Sequence, residues 1–289
     1  MAKKSKSSSS NKKDIKTTLV ILFLFALVAV VFLFFHKEKI TQAPPSAVAL
    51  VKVHKKSMVK KVPPGSAGKI AFILDDWGYR MGNCHYLKEI KAPLAISVLP
   101  SLPHSDDIMK CASVNNKDIM LHLPLEAYHN LDTYPDNYVL TTAMPLHKIE
   151  KLLGETLTKM PLIVGVNNHM GSKATEDRAL MKTIFKKLKK KGLFFVDSMT
   201  APHHSICGQL ADEMQLPFAK RDVFLDNINT REAIEKQMRE LAQKARRQGY
   251  AIAIGHDRSL TMQVIKDEIP ILQAQGFEIV HVKNLLRHP

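Results

Sequence analysis

"KIAFILDDWGYR", residues 69–80, is an unbroken apolar run that ends in two adjacent carboxylates, Asp75 and Asp76. A short apolar stretch without polar alternation reads as a strand covered on both faces, the kind that parallel sheets contain. Neighbouring like charges repel, so a strand aimed at such a pair needs something at its end that relieves the repulsion.

The same pattern recurs along the chain. Strands are expected at 69–74, 94–99 ("LAISVL"), 118–123 ("DIMLHL"), 162–166 ("LIVGV"), 193–197 ("LFFVD"), 250–255 ("YAIAIG") and 277–282 ("FEIVHV"). Amphipathic stretches lie between them. In "DRALMKTIFKKLKKKG", Leu180, Ile184 and Leu188 recur every four residues and Gly192 supplies a stop. "TREAIEKQMRELAQKARRQG" has Thr230 placed to cap and Gly249 to terminate. Strand and helix in alternation imply parallel strands with crossover helices, hence an α/β sheet or barrel over residues 69–289.

Such a fold gathers the carboxyl ends of its strands on one rim. Asp75 and Asp76 follow the first strand, and His122 ends the third. Asn167, Asn168 and His169 follow the fourth, Asp197 ends the fifth, and His256 and Asp257 follow "AIAIG". Taken singly, each has a bland reading: an Asp pair serves turns and helix caps, a lone His is a hydrogen-bonded structural residue, and Asn tolerates a left-handed turn. Those readings do not predict that all of them fall at the same end of successive strands. One carboxylate and two imidazoles suit an open divalent metal site of the zinc type. A cation beside Asp76 would relieve the repulsion and leave Asp75 to take a proton from bound water, with His256 protonating a leaving group. Metal-assisted hydrolysis of an amide or ester is the expected chemistry.

Composition sets the surroundings. The net charge of +15 is concentrated in residues 1–68, which hold +11 and leave only +4 for the remainder. A nucleic-acid partner is therefore not expected, because the basic character belongs to a tail. Residues 17–35, "TTLVILFLFALVAVVFLFF", form 19 uncharged residues, about 28 Å as a helix, and read as a single transmembrane anchor. Residues 1–16 carry six Lys and are expected to stay cytoplasmic, which places the C-terminal domain outside the inner membrane, facing the periplasm or cell exterior. A cleaved signal peptide is the competing reading, and His36-Lys37-Glu38-Lys39 directly after the apolar run argues against it. Residues 36–68, with two Pro-Pro pairs, read as a flexible linker. Cys84, Cys111 and Cys207 are odd in number and suggest neither a disulfide framework nor a structural zinc site.

"FILDDWG", "LPH" at 102–104, "MLHLPLE" at 120–126, "GVNNHMGSKAT" at 165–175, "GLFFVDSMT" at 192–200 and "RDVFLDN" at 221–227 together resemble the divergent polysaccharide deacetylase family, a remote relative of the NodB-type carbohydrate esterases. The resemblance spans roughly residues 68–286 and implies a deformed (β/α) barrel of NodB-like type. It also implies a metal-dependent hydrolase that removes acetyl groups from sugars. On this reading Asp75 is the base, Asp76 and His122 are metal ligands, and His256 is the acid. The related motif has a second His four residues after the first, where this chain has Glu126; the missing ligand is then His169, or alternatively His104. Asp197 is expected to orient a neighbouring His, Asn168 to support the site or meet substrate, and Trp77 to stack on a sugar ring. The third motif's Arg has no clear match. Two functional classes follow: a zinc-dependent deacetylase of an extracytoplasmic, peptidoglycan-like polysaccharide, or a catalytically degenerate carbohydrate-binding or scaffold protein on the same barrel.

Overall fold

Alternate residues of the first strand go to different places, and that alternation organises the domain. In the computed structural model, which describes residues 67–129, 138–201 and 203–287, β1 runs Gly68–Trp77. Ile70, Phe72 and Leu74 pack with helix residues such as Leu87, Ile108, Leu153, Ile184, Leu241 and Ile265 in a large cluster under the helices. Ala71 and Ile73 point the other way. They join a smaller cluster with Ala95, Met120, Val196, Ala219, Ile252 and Ile254, drawn from six different strands, which identifies the concave side of a curled sheet. The expected tail, anchor and linker of residues 1–66 lie outside the described residues. None of the described helices is long and apolar enough to cross a membrane.

The remaining elements follow in order: α1 (Cys84–Glu89), β2 (Ala95–Val98), α2 (Ser105–Val114), β3 (Asp118–Leu125), α3 (Leu146–Lys159), β4 (Gly165–Met170), α4 (Arg178–Lys191), β5 (Phe194–Asp197), α5 (Cys207–Met214), β6 (Phe218–Lys220), β7 (Val223–Phe224), α6 (Arg231–Gln248), β8 (Tyr250–His256), α7 (Ser259–Ala274) and β9 (Phe277–Ile279). The sheet order is β6-β5-β4-β3-β2-β1-β8-β7, with β9 beside the start of β1, and all these strand pairs are parallel. β6 and β7 stand at opposite ends of that order, yet only Arg221 and Asp222 separate them. Arg221 N–H bonds Asp197 O at one end, 2.9 Å, and Asp222 N–H bonds Ile252 O at the other, 2.8 Å. Two residues can bridge those ends only if the sheet curls until its edges meet, so the architecture is a deformed parallel (β/α) barrel.

The two long helices expected from periodicity are present. Asp177 caps α4 by accepting Leu180 N–H at 2.8 Å, and Gly192, in the left-handed region at φ 69°, ends it. Thr230 caps α6 through Ala233 N–H at 3.3 Å. On β4, a side chain at Gly165 would collide with the Phe194 ring at 2.3 Å, so glycine there makes room for Phe194 within the curl.

Two expectations need correction. The fourth strand spans Gly165–Met170, not 162–166, so the polar residues expected beyond it are part of it. The cysteines do form a bridge: Cys84 on α1 and Cys111 on α2 are joined, with Cα atoms 6.5 Å apart, and Cys207 is free and buried. Spacing in sequence carried no sign of this pair, because the contact is made by two helices packing side by side. Closing a loop of 27 residues removes about 3.5 kcal/mol of unfolded-chain entropy by the loop-length relation. Cys84→Ser or reduction with dithiothreitol is expected to lower the thermal midpoint by roughly 10 °C. An unchanged midpoint in calorimetry with and without reductant would contradict this.

Candidate metal centre

The inward alternation that begins with Ala71 and Ile73 continues upward into polar residues. One step further along β1 stands Asp75; on β2, Ala95 is followed two residues on by Ser97; on β3, Met120 by His122; on β8, Ile254 by His256. On β4 the same face carries Gly165, Asn167 and His169. Strand pairing sets Asp75 opposite His256, His122 opposite Asn167 and Pro124 opposite His169. A period of two thus loads one end of the curl with chemistry above an apolar floor.

Asp76 breaks the alternation. It lies at φ 63°, in the left-handed region, where β1 loses register against β2 between Leu74 and Trp77. This bulge lets two consecutive carboxylates serve one site, although neighbours in a regular strand face opposite sides. A non-glycine residue in this conformation costs on the order of 1 kcal/mol or more, with Asp among the better tolerated.

Asp76 Oδ1 lies 3.1 Å from His122 Nε2 and 3.1 Å from His169 Nδ1, and the two imidazole nitrogens are 3.2 Å apart. Ligands about 2.05 Å from a tetrahedral zinc ion stand roughly 3.3 Å from one another, so this near-equilateral triangle fits three corners of such a site with the fourth open. Among the described residues these three form the one group of carboxylate, imidazole or thiolate side chains arranged to hold a metal ion. His104 is not among them. It sits half-exposed at the start of α2, 4.0 Å from Asp107. Glu126 is also elsewhere, accepting from Lys173 Nζ at 2.8 Å and from Thr142 N–H and Oγ1–H at 2.7 Å each.

Asn167, expected at the rim but given no role there, fixes the geometry. Its Nδ2 donates to both Asp75 oxygens, 3.0 and 3.1 Å, and to Ser198 Oγ at 3.0 Å. The amide's oxygen must then accept, and it takes the Ser97 hydroxyl and His122 Nδ1–H, the latter at 3.2 Å. This fixes one proton of His122 on Nδ1, so that Nε2, which faces the triangle, is the nitrogen that would give up its proton to a bound ion. The spacing that placed Asn167 and Asn168 in one turn held no clue to which faced inward. Asn168 faces outward: it accepts Ser198 N–H at 2.8 Å and donates to Met170 O at 2.7 Å, bracing the turn after β5.

Asp75 is buried, and that burial pushes its carboxyl above the usual range against the pull of His122. Burial acts the same way on Asp76, but hydrogen bonds from His122 and His169 overcome it and hold that carboxyl far below the usual range. His256 is buried enough to disfavour its charge, yet Asp226 reverses this and raises its pKa. Asp226, fully buried, accepts His256 Nδ1–H at 2.8 Å, His256 N–H at 3.0 Å and the Thr261 hydroxyl at 2.7 Å. His256 Nε2 is 3.6 Å from Asp76 Oδ2.

The carboxylate that orients a histidine is therefore Asp226, not Asp197 as expected. Asp197 is taken up by Met199 N–H at 2.7 Å and the Ser205 hydroxyl at 2.6 Å. Trp77 is another correction: it is fully buried in the helix-side core, so it has no face for a sugar ring. Arg221, from the stretch that joins β6 to β7, donates to Ser198 O and Met199 O at 2.7 and 3.1 Å, and its charge interacts with Asp75.

A curled parallel α/β sheet thus carries an Asp–His–His group and a buried second Asp at the carboxyl ends of its strands. Residues 72–286 match the sequence profile of the divergent polysaccharide deacetylases, and the chain belongs to that family. It is 30% identical over 227 residues to the uncharacterized protein YibQ of Escherichia coli K12, covering 78% of this chain and 70% of that one. It is 28% identical over 220 residues to an uncharacterized protein of Haemophilus influenzae Rd, covering 76% and 77%. A crystal structure of an uncharacterized protein from Agrobacterium tumefaciens C58 shares the fold, with a TM-score of 0.69 and 23% identity over 78% of this chain and 93% of that one.

Proposed function

We propose that the protein is a metal-dependent hydrolase that removes N- or O-acetyl groups from an extracytoplasmic polysaccharide, a peptidoglycan-like glycan being the leading candidate. The observation that carries this is the Asp76–His122–His169 triangle, with Asp75 3.7 Å from His122 Nε2 and His256 Nε2 3.6 Å from Asp76 Oδ2. A divalent ion held there, Zn2+ foremost, would supply Lewis acidity toward the acetyl carbonyl and toward water. Asp75, steadied by Asn167, takes the proton from the attacking water. The water oxygen bonds to the acetyl carbon, and the carbon–nitrogen or carbon–oxygen bond to the sugar breaks. His256, backed by Asp226, gives its proton to the departing amine or alkoxide, and acetate leaves. The degenerate-binder alternative loses Trp77 as an aromatic platform through its burial and keeps only the exposed Tyr79 beside the pair. Zinc analysis of the purified protein, followed by assay of acetate release from acetylated glycans, tests the reading. A metal-free protein that stays metal-free after reloading would overturn it.

Export is part of the same reading. Residues 17–35 would anchor the chain in the inner membrane, and the Cys84–Cys111 bridge supports an oxidising compartment for the barrel. Alkaline phosphatase fused after residue 289 is expected to be active in cells and to fractionate with membranes. Deleting residues 1–66 should release the domain into the soluble fraction, and membrane association that persists after the deletion would count against the anchor.

A further inference from the structure

Beside the triangle opens a hollow of about 340 Å³, lined by Asp76, Tyr79, Arg80, His256, Asp257 and Arg258. It shares Asp76 and His256 with the site, so a sugar whose acetyl group reached the triangle would lay a neighbouring substituent here. Two guanidinium groups line it. Arg80, in the turn after β1, donates Nη2–H to Asp257 O at 3.1 Å; Arg258, in the turn after β8, donates Nη1–H to Asp226 O at 2.7 Å. Each bond uses one of five N–H donors and fixes the direction of the others.

The nearby carboxylates offset part of this guanidinium charge, Asp226 against Arg258 and Asp257 against Arg80, while accepting hydrogen bonds from other side chains. Asp257 is buried and accepts Asn83 Nδ2–H at 2.7 Å. Asp226 is fully buried beneath His256, with its Oδ2 3.9 Å from Arg258 Nη1. Asp76 belongs to the triangle. Of the other cations near the rim, Lys173 is paired with Glu126, and Arg221 donates to Ser198 O and Met199 O. Asn83 also accepts the Ser259 hydroxyl at 2.8 Å, which staples the turn carrying Arg80 to the turn carrying Arg258. Tyr79 adds an exposed ring at the mouth.

We propose that Arg80 and Arg258 form a subsite for an anionic substituent, a carboxylate or a phosphate, so that the substrate is an acidic glycan. Planar guanidinium forks match both anions bidentately, which a lysine pair would not do. The inference rests on the deacetylase reading above and names its substrate class.

The test uses the full-length, zinc-loaded protein and three probes: the N-acetylglucosamine trisaccharide, its C6-carboxylate form and its 6-phosphate form. Binding is followed by calorimetry and turnover by acetate release. Wild type is expected to bind at least one charged probe roughly tenfold more tightly than the neutral one, and the carboxylate and phosphate arms show which anion fits. In Arg80→Gln and Arg258→Gln that ratio is expected to fall toward one, and in wild type it should shrink as salt rises from 0.05 to 0.5 M, taken as about 14 to 4 Å of screening length. Merely structural arginines would weaken neutral and charged probes alike and leave the ratio standing, which would overturn the proposal, as would equal binding of all three probes by wild type. Acetate release without charge preference would sink the subsite and spare the deacetylase reading. Charge preference without acetate release would do the reverse, and failure to bind any probe would overturn both.

Discussion

His122→Ala and His169→Ala are each expected to bring bound zinc from near one per chain to a small fraction of that, whereas Asp75→Ala should keep its zinc and lose turnover by about 10²- to 10⁴-fold. The reason is the division visible in the geometry. Asp76, His122 and His169 meet at 3.1–3.2 Å, while Asp75 stands 3.7 Å from His122 Nε2 and is engaged by the amide of Asn167. Removing a partner that only orients a metal-bound histidine typically weakens metal binding 10- to 100-fold, so loss of a ligand itself should exceed about a hundredfold. Asp76→Ala belongs with the histidine variants. Folding can be followed in the same samples: an ion that binds only the native state at a hundred times its Kd adds about 2.7 kcal/mol, so zinc should raise the melting temperature of wild type and Asp75→Ala but not of the ligand variants. Equal zinc content across all four variants would remove the metal site from the account.

A second large effect is expected two residues before His169, at Asn167. Asn167→Ala leaves His122 Nδ1–H, the Asp75 carboxylate and the hydroxyls of Ser97 and Ser198 without the amide that joins them. Each buried group stranded in this way costs about 1–3 kcal/mol, and with the imidazole no longer held in one tautomer, zinc affinity should fall 10- to 100-fold. Asn168→Ala is the control. Its amide is equally buried but braces Ser198 and Met170 on the opposite face of β4, so it should lower the melting temperature and leave zinc affinity near that of wild type. Titration of zinc into both variants decides the matter. Equal loss of affinity in the two would show that general loosening, and not the link through Asn167, sets the metal's environment.

The contrast between these two asparagines also shows where the sequence stopped being legible. Apolar runs such as 69–74 and 250–255 declared their strands, and Leu180, Ile184 and Leu188 declared a helix, because burial of one whole face or stripe dominates those segments. In β4 the polar residues lie inside the strand, satisfied by one another within the curl, so hydropathy ended the strand too early and hid that Asn167 and His169 share a face. β6 and β7, three and two residues long, are too short to show any period. That Asp76 and His122 share one rim was readable from their position at strand ends. The choice of Asp226 over Asp197 as partner of His256 was not, because it depends on β7 lying beside β8, a pairing between residues 30 apart. The burial of Trp77 follows from the bulge at Asp76, which no local pattern announces.

That the sheet ends twice on the same short piece of chain has a bearing on solubility. A long flat edge with unpaired backbone groups invites a strand from another molecule, and such addition is how many sheets begin to aggregate. Here one terminal strand is three residues long and already exchanges backbone hydrogen bonds with Arg287, 3.2 and 2.8 Å, while the other is only two residues long. Neither offers the run of five or six residues that an incoming strand would need to hold on, so the native barrel is a poor template for its own polymerisation at high concentration.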